Sequence, residues 1–190
     1  MKMFRTLIAS VFSCSVLALG TLAQEAQNYK DSDFDFSLSV PAEWKSVGGE
    51  GYTVPGKLRA AFKGPGPSSI VVFVQEPGQA YDARFLLDAS AEGLQKALKS
   101  DIKEKEVREI DGKKAMWLLN EGQGNGGAIL GQGDVKTIQH WVAIPREKDI
   151  VVLILTCPSE DLPKASKVYD SAIKSLKIGG KQTKEQLEAK

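Results

Sequence analysis

The 190-residue chain has few of the residues and motifs that most enzymes and metal proteins use. It contains one histidine and two cysteines, and no HExxH, GxSxG or paired CxxC motif. Most hydrolytic and zinc-binding templates are therefore excluded. Lys and Arg total 25 against 24 Asp and Glu, so the basic surplus that nucleic-acid binding requires is also missing. We expect no cofactor, no metal and no nucleic-acid partner.

A long apolar run with one charged flank occurs at the N-terminus. Lys2 and Arg5 precede the stretch from Thr6 to Leu22, and the small residues Thr21 and Ala23 fit the pockets of a signal peptidase. This pattern predicts a signal peptide over residues 1–23 and an exported protein, periplasmic or extracellular after cleavage. The alternative is an uncleaved anchor, in which case this segment alone contacts a membrane.

Cysteine use follows from the predicted cleavage. Cys14 lies in the signal segment, which leaves Cys157 as the single cysteine of the mature chain. No intramolecular disulfide can form, so the hydrophobic core must stabilise the exported domain. We interpret Cys157 as a small buried residue, with a reactive or intermolecular thiol as the alternative.

The N-terminal third shows strand patterns. After a polar lead over 24–32, residues Asp33–Val40 alternate strictly between polar and apolar, which predicts a half-buried strand ended by Pro41. Asp33 and Asp35 are expected on the solvent-exposed face of this strand. Tyr52–Val54 and Leu58–Phe62 flank a Pro-Gly turn and suggest two short strands.

Two later segments are apolar at every position, Ile70–Val74 and Ile150–Leu155. Strands without alternation are buried on both faces of their sheet. We therefore expect two helix layers, or a helix layer and a loop layer, to cover the sheet.

Helical spacing occurs over Asp82–Lys99, with Asp82 as the cap, and over Ser159–Lys177. Gly93 weakens the first helix and suggests a close approach to its surroundings. Between the helices we predict an antiparallel meander, in which Asp111-Gly112 forms a hairpin turn and Trp117 pairs with Trp141 across neighbouring strands. The four strands are Ile102–Ile110, Lys113–Asn120, Val135–Ile144 and Asp149–Cys157.

Few residues are candidates for a site. His140 is expected as a hydrogen-bonded sheet side chain, with a catalytic or ligand role as the alternative. Asp31, Asp33 and Asp35 imitate the start of a calcium loop, but Phe36 occupies the sixth position and Ala42 the twelfth, where Gly and Glu are needed.

A glycine-rich segment over 122–133 contains the spacing GxGxxG, but no helix can follow it, so a dinucleotide site is rejected. We interpret the segment as a mobile hairpin connection and as the first candidate for a partner contact. Its candidate residues are Gly122, Gly124, Asn125, Gly126, Gly127 and Gly131.

The order of these motifs resembles the PsbP/DcrB-like superfamily. The resemblance rests on Phe36–Trp44, the hairpin Asp111–Ala115 and the final helix with Tyr169–Ile178, and it spans nearly the whole mature chain. It implies an α+β fold, an α/β/α sandwich with a central, mostly antiparallel sheet and helices on both faces. It also implies docking to other macromolecules and brings no catalytic residues.

We therefore expect one PsbP-like domain over residues 24–178, followed by a polar C-terminal tail over 179–190. The expected function is an exported, non-enzymatic binding or accessory module that docks on a protein partner through loops of the sandwich. One alternative is a small enzyme or metal-dependent protein that uses His140 with carboxylates such as Asp33 and Asp35. Another is a carrier with a small-molecule cavity between sheet and helix.

Overall fold

A computed structural model describes residues 25–48, 50–123 and 135–188, and within them ten strands and three helices. The strands are β1 (Ala26–Asp31), β2 (Phe36–Pro41), β3 (Lys45–Ser46), β4 (Lys57–Lys63), β5 (Ser69–Gln75), β6 (Asp101–Ile110), β7 (Lys113–Gln123), β8 (Lys136–Pro145), β9 (Ile150–Pro158) and β10 (Lys177–Ile178). The helices are α1 (Ala83–Leu98), α2 (Leu162–Ser175) and α3 (Lys184–Glu188), and a 3₁₀ turn over Ser159–Asp161 precedes α2.

The strands form two antiparallel sheets. The main sheet has seven strands in the order β3-β4-β5-β9-β8-β7-β6, and the small sheet has the order β1-β2-β10. Strands β6 to β9 follow one another as a meander, which confirms the predicted antiparallel arrangement. Because β5 pairs with β9, the two uninterrupted apolar segments lie side by side in the middle of the sheet.

Both faces of the main sheet are covered, as the two apolar segments require. Helix α1 packs over β6, β7 and β8 on one side, here called the α1 face, where Val47, Tyr52, Val54 and Leu58 cover the rest. Helix α2 and the small sheet cover the opposite side, the α2 face. Every residue of Ile70–Val74 and Ile150–Leu155 is buried. The α+β fold, an α/β/α sandwich, is confirmed.

The helices differ from the prediction in detail. Asp82 caps α1, and its Oδ1 accepts a hydrogen bond from the amide of Phe85 at 2.7 Å. The expectation for Gly93 was wrong, since a Cβ there would meet no atom of the described residues within 4 Å. Helix α2 ends at Ser175 rather than Lys177, because Lys177 and Ile178 pair with β2 as strand β10.

The N-terminal third also differs. The polar lead contains β1, which pairs along its whole length with β2. The strand predicted from Asp33 begins at Phe36 instead, and residues 32–35 form a turn. Residues 52–54 are not a strand; their apolar side chains cover the α1 face, and β4 pairs with β3 and β5.

The predicted tryptophan pair does not form. Trp117 lies opposite Val142, while Trp141 lies opposite Leu118. Side chains alternate between the faces of a sheet, so this offset by one residue sends the two indoles to opposite faces. Trp117 packs in the core under α2 and Trp141 in the core under α1.

The segment after β10 is polar but docked on the domain. The Gln182 amide group donates to the carbonyls of Lys114 and Pro145, each at 2.8 Å. Gln186, 1% exposed, donates to the carbonyls of Tyr81 at 2.6 Å and Arg146 at 3.0 Å. The predicted tail therefore belongs to the folded body as far as Glu188.

The predicted signal peptide, residues 1–23, lies outside the described residues, so cleavage after Ala23 stays a prediction. In the described part of the chain, no helix combines the length and the apolar character needed to cross a membrane. The export prediction therefore depends on the pattern of charge and hydrophobicity before residue 24.

Candidate functional site

Asp33 and Asp35 lie in the turn that joins β1 to β2. The buried Asp31 forms this turn, because its Oδ1 accepts hydrogen bonds from the amides of Asp33 at 3.0 Å and Phe34 at 2.9 Å. Asp35 adopts a left-handed conformation with φ of 47°, which aspartate tolerates better than most residues. The two carboxylates thus project from a tight turn and not, as predicted, from the solvent-exposed face of a strand.

An arginine from β4 holds this turn against the main sheet. The Nε of Arg59 lies 2.5 Å from Asp31 Oδ2, and its Nη2 lies 2.7 Å from Asp33 Oδ2. Burial alone would raise the pKa of Asp31, but the hydrogen bonds from Arg59 and the Phe34 amide outweigh it and lower that pKa. The guanidinium of Arg59 also lies 4.9 Å from the centre of the Phe34 ring. Asp33 is therefore fixed in position while most of its side chain stays in water.

The turn forms one wall of a cleft of about 370 Å³ at this end of the sandwich. The other walls are the β8–β9 turn and the segment that follows β10. The lining residues are Asp33, Phe34, Asp35, Arg146, Glu147, Lys148, Asp149, Gly180 and Lys181. The structure therefore brings Asp33 and Asp35 together, and adds residues that the sequence did not single out.

Arg146 connects the three walls. Its guanidinium binds both oxygens of Asp149, at 2.5 and 2.8 Å, and its Nη1 donates to the carbonyls of Phe34 at 2.6 Å and Gly179 at 3.3 Å. A planar bidentate pair of this kind fixes geometry as well as charge. Arg146 is 6% exposed, so its role is to hold the cleft in shape.

The rim of the cleft carries the charges that solvent and partners can reach. Asp35, Glu147, Lys148 and Lys181 are exposed, and none of them forms an ion pair with another described residue. Two carboxylates and two ammonium groups thus surround a buried, fully engaged arginine. The cleft offers both signs of charge on a preformed frame.

His140 lies away from this cleft, in the core beneath α2. Its ring is 4.2 Å from that of Trp117 and 4.9 Å from that of Tyr169, and its Nε2 has no hydrogen-bond partner among the described residues. Burial, and to a smaller extent the charge of Arg108, lower the pKa of His140 to about 4. The structure thus does not join His140 to Asp33 or Asp35. No group of three or more His, Cys, Asp or Glu residues in the described ranges is placed to hold a metal ion.

No family model and no curated protein sequence matches the chain. Solved structures match it in shape. The cyanobacterial PsbP (CyanoP) of Synechocystis superposes with a TM-score of 0.57 at 13% identity, over 89% of this chain and 99% of that one. This chain has a PsbP/DcrB-like fold.

Two further structures share the PsbP/DcrB-like fold. The Ran-binding protein Mog1p of Saccharomyces cerevisiae has a TM-score of 0.54 at 13% identity, with 83% of this chain and 97% of that one covered. LpqN of Mycobacterium tuberculosis, involved in cell envelope biogenesis, has a TM-score of 0.53 at 15% identity, with 81% and 90% covered. At these identities the comparisons establish the fold, and the resemblance inferred from the sequence is confirmed at that level.

Of the glycine-rich candidate residues, only Gly122 is described, and it lies at the other end of the PsbP/DcrB-like fold. Gly122 is the last but one residue of β7 and lies opposite Thr137. Gly124, Asn125, Gly126, Gly127 and Gly131 lie outside the described residues. Thr137 and Pro145 are eight residues apart along β8, so Gly122 lies about 27 Å along the sheet from the cleft.

Two alternatives from the sequence remain, a reactive Cys157 thiol and a small-molecule carrier. Cys157 is fully buried, and burial, followed by the charge of Asp161, raises the pKa of its thiol to about 12. A second cleft beside α2, lined in part by Trp44, Ala165 and Val168, has a volume of about 210 Å³. Most small-molecule sites are larger, about 300–1,000 Å³, so this cleft gives the carrier alternative little support.

Site residues could be predicted where a local sequence pattern marks them, and not where contacts between distant segments define them. Asp33 and Asp35 were singled out from a calcium-like spacing, although their position follows from a turn. Arg146 was missed, because an arginine between Pro145 and Glu147 resembles any solvated turn residue. Its burial depends on Phe34 and Gly179, which are distant along the chain.

Proposed function

We propose that this chain is an exported, non-enzymatic binding module that docks on a protein partner through the cleft at one end of its sandwich. The observation that carries the proposal is the preformed frame around Arg146. Two turns and the segment after β10 are tied together there, while charged side chains of both signs at the rim form no ion pair among the described residues. A preorganised surface loses little freedom when a partner binds.

The mixed charge of the rim favours a polypeptide as the occupant. Asp35 and Glu147 offer acceptors, and Lys148 and Lys181 offer donors. A nucleic acid would be repelled by the carboxylates, which equal the ammonium groups in number. A protein segment that carries both signs of charge can satisfy all four groups, and charge complementarity of this kind sets specificity and association rate.

A non-enzymatic role is supported by the state of the residues that catalysis would use. His140 is enclosed by aromatic rings and stays neutral at physiological pH, since its pKa is about 4. The thiol of Cys157, with a pKa of about 12, stays protonated. Neither group is poised for proton transfer or nucleophilic attack.

The structural neighbours support a binding role by analogy. Mog1p, which shares the fold, is a Ran-binding protein. Unrelated functions recur on one fold, so this analogy favours binding in general and identifies no partner for this chain.

A site-specific cross-linking experiment tests the proposal. A photo-reactive amino acid is placed at Lys148 on the cleft rim and, as the matched control, at Lys167, an exposed lysine of α2 that forms no ion pair among the described residues. We expect a discrete adduct in the cell envelope from position 148 and none from position 167. The double variant Lys148→Glu/Lys181→Glu should weaken binding of the identified partner at least about tenfold.

Two outcomes would contradict the cleft as the docking surface. Equal adducts at both positions would indicate non-specific contact, and an adduct that forms only with the reactive group at Val135, beside the glycine-rich segment, would move the surface to the opposite end. An enzymatic activity that is lost in His140→Leu while the fold is retained would support the alternative function instead.

A further inference from the structure

Strand β6 forms one edge of the main sheet and is unusually long for an edge strand. It spans ten residues, pairs with β7 on one side, and has no partner strand among the described residues on the other. The opposite edge, β3, spans only two residues. An unpaired edge presents a row of backbone donors and acceptors that can pair with another chain, and short or charged edges normally reduce this risk.

The order of charges along β6 is complementary to itself when two copies of the strand run antiparallel. Residues 105–109 read Lys-Glu-Val-Arg-Glu. When a second copy runs antiparallel and the two Val107 residues face each other, Lys105 lies opposite Glu109 and Glu106 lies opposite Arg108. The same pairs recur on the other side of Val107, so every charge in this segment meets its opposite. Such cross-strand pairs stabilise a sheet, whereas like charges opposite each other destabilise it.

Neighbouring registers lack this property. Centring the pair on Lys105 places the two lysines together and Glu104 opposite Glu106. Centring it on Glu106 places two glutamates together, and centring it on Arg108 places two arginines together. Among these four symmetric registers, the one centred on Val107 is the only one without a like-charge pair.

The geometry of β6 is compatible with this register. The irregularity in its pairing with β7 lies between Ile102 and Glu104, which leaves the segment from Glu104 to Ile110 regular. Lys105, Val107 and Glu109 alternate with Glu106 and Arg108 between the two faces. Residues directly opposite each other in an antiparallel pair share a face, so a two-fold axis at Val107 keeps each complementary pair on one side of the sheet.

The side chains of this segment are accessible or only partly covered. Lys105, Glu106 and Glu109 are exposed, and Val107 is half-buried at the margin of the core on the α1 face. Arg108 is also half-buried, since its guanidinium stacks 3.7 Å from the Trp117 ring and binds Glu106 of the same strand. A second copy would cover the exposed part of Val107 and bring another Glu106 to the oriented guanidinium.

We propose that two copies of this chain associate through β6, antiparallel about a two-fold axis at Val107, and join their seven-stranded sheets into one. The proposal is independent of the cleft, which lies at the end of the sandwich and not at its edge. A two-fold contact of this kind is closed, because each copy uses its long edge once.

A charge-swap series tests the register. Lys105→Glu and Glu109→Lys each replace two attractive pairs by two repulsive ones, and each should weaken dimerisation at least about tenfold at low ionic strength. The double variant Lys105→Glu/Glu109→Lys restores opposite charges and should return the dissociation constant to within about threefold of the original. An equimolar mixture of the two single variants should form heterodimers. Sedimentation equilibrium of the whole chain measures each constant.

A control separates the dimer contact from a contact within the chain. Lys105 also lies 2.7 Å from Asp88 of α1, so its replacement removes that ion pair too. Asp88→Asn removes the same ion pair without changing β6, and should leave the dissociation constant within about threefold of the original.

Cross-linking locates the two-fold axis. In a Cys14→Ser background, Val107→Cys should form a disulfide-linked dimer under mild oxidation, because opposite Cα atoms in an antiparallel pair lie about 4.5–5.5 Å apart, within disulfide range. Lys105→Cys is the matched control; the two copies of residue 105 would be offset by four residues, about 14 Å, and should not cross-link.

The outcomes that overturn the proposal are specific. A chain that stays monomeric at about 100 μM, or a dimer that does not respond to either single charge reversal, would do so. Cross-linking of Val107→Cys to a different protein, without the homodimer, would show that β6 accepts a strand from another partner instead.

Discussion

At the scale of single residues, the buried polar groups of this chain divide into two kinds. Arg146 and Asp31 are buried with their hydrogen bonds made, so they connect separate segments of the fold. His140 is buried, and its Nε2 has no partner in the part of the chain that the structure describes. A buried polar atom without a partner costs free energy, and the cost rises sharply if the group must also take up a proton. Protonation of the imidazole is therefore disfavoured in the folded chain.

We predict that His140 makes the protein less stable as the pH falls from 7 toward 4. Its pKa is about 4 in the folded chain against an ordinary value of 6.5. Above pH 6.5 the ring is neutral in both states, and between these pKa values only the unfolded chain takes up the proton, which favours unfolding. The loss should reach about 3 kcal/mol at full effect.

Urea unfolding at pH 7, 6, 5 and 4.5 measures this loss. In His140→Leu the free energy of unfolding should fall much less over the same range, because the titrating group is gone. Equal pH dependence in both proteins would show that the imidazole is accessible to a proton in the folded state.

At the scale of secondary-structure elements, Gly93 and Gly56 lie in opposite environments. Gly93 lies within α1, where no atom from the described ranges comes within 4 Å of the position of a Cβ. We predict that Gly93→Ala stabilises the protein by about 0.5–1 kcal/mol, because alanine restricts the unfolded chain and favours the helix. A rise in the midpoint of urea unfolding at an unchanged slope is the expected result. A lower midpoint would indicate a contact at this face of the helix.

Gly56, the residue before β4, has no such room. A Cβ there would lie 2.4 Å from the carbonyl oxygen of Val74, a backbone atom of the neighbouring strand. We predict that Gly56→Ala lowers the free energy of unfolding by about 1–3 kcal/mol, since the strands must move apart. Gly48→Ala is the matched control, because its Cβ would meet nothing within 4 Å. The same unfolding assay should show little change for the control.

Strands and helices with a strong hydrophobic pattern could be predicted from the sequence. Strands that exist only because another strand pairs with them could not. The doubly buried β5 and β9 and the capped α1 follow from local composition. Strand β1 was missed because it is an edge strand of a small sheet, with alternate residues exposed and a polar sequence. Strand β10 is two residues long and is a strand only because β2 lies beside it. Trp117 and Trp141 point to opposite faces because the pairing of β7 with β8 is offset by one residue from the predicted register. The composition of the two strands does not determine this register.

At the scale of the whole molecule, the two ends of the described chain are attached to the body. Tyr29 of β1 donates to the carbonyl of Arg59 at 2.8 Å, and Gln182 and Gln186 together donate to four backbone carbonyls of the body. The polar character of residues 179–190 predicted a tail, because glutamines that bind only backbone groups look the same in sequence as solvated ones. Their partners become visible only in three dimensions.

We predict that a chain ending at Gly180 is less stable than the full chain by about 2–4 kcal/mol, since several hydrogen bonds to buried backbone groups are lost. Thermal and urea unfolding of the two chains measure the difference. Gln186→Ala should reproduce part of the loss, while Lys184→Ala, an exposed residue of the same helix, should not. If the truncated chain were as stable as the full chain, residues 181–190 would be dispensable for folding.

The place of β10 in the chain has a consequence for synthesis. Strand β2 begins at residue 36, and the strand that completes its sheet begins at residue 177. A ribosome adds residues in order, so the hairpin of β1 and β2 keeps an unpaired edge until residues 177 and 178 have been made. Partial chains released early cannot close this gap. Closure of the small sheet thus waits for residue 177, and a premature stop before that residue leaves a product with an unpaired strand edge, which proteases and chaperones must remove.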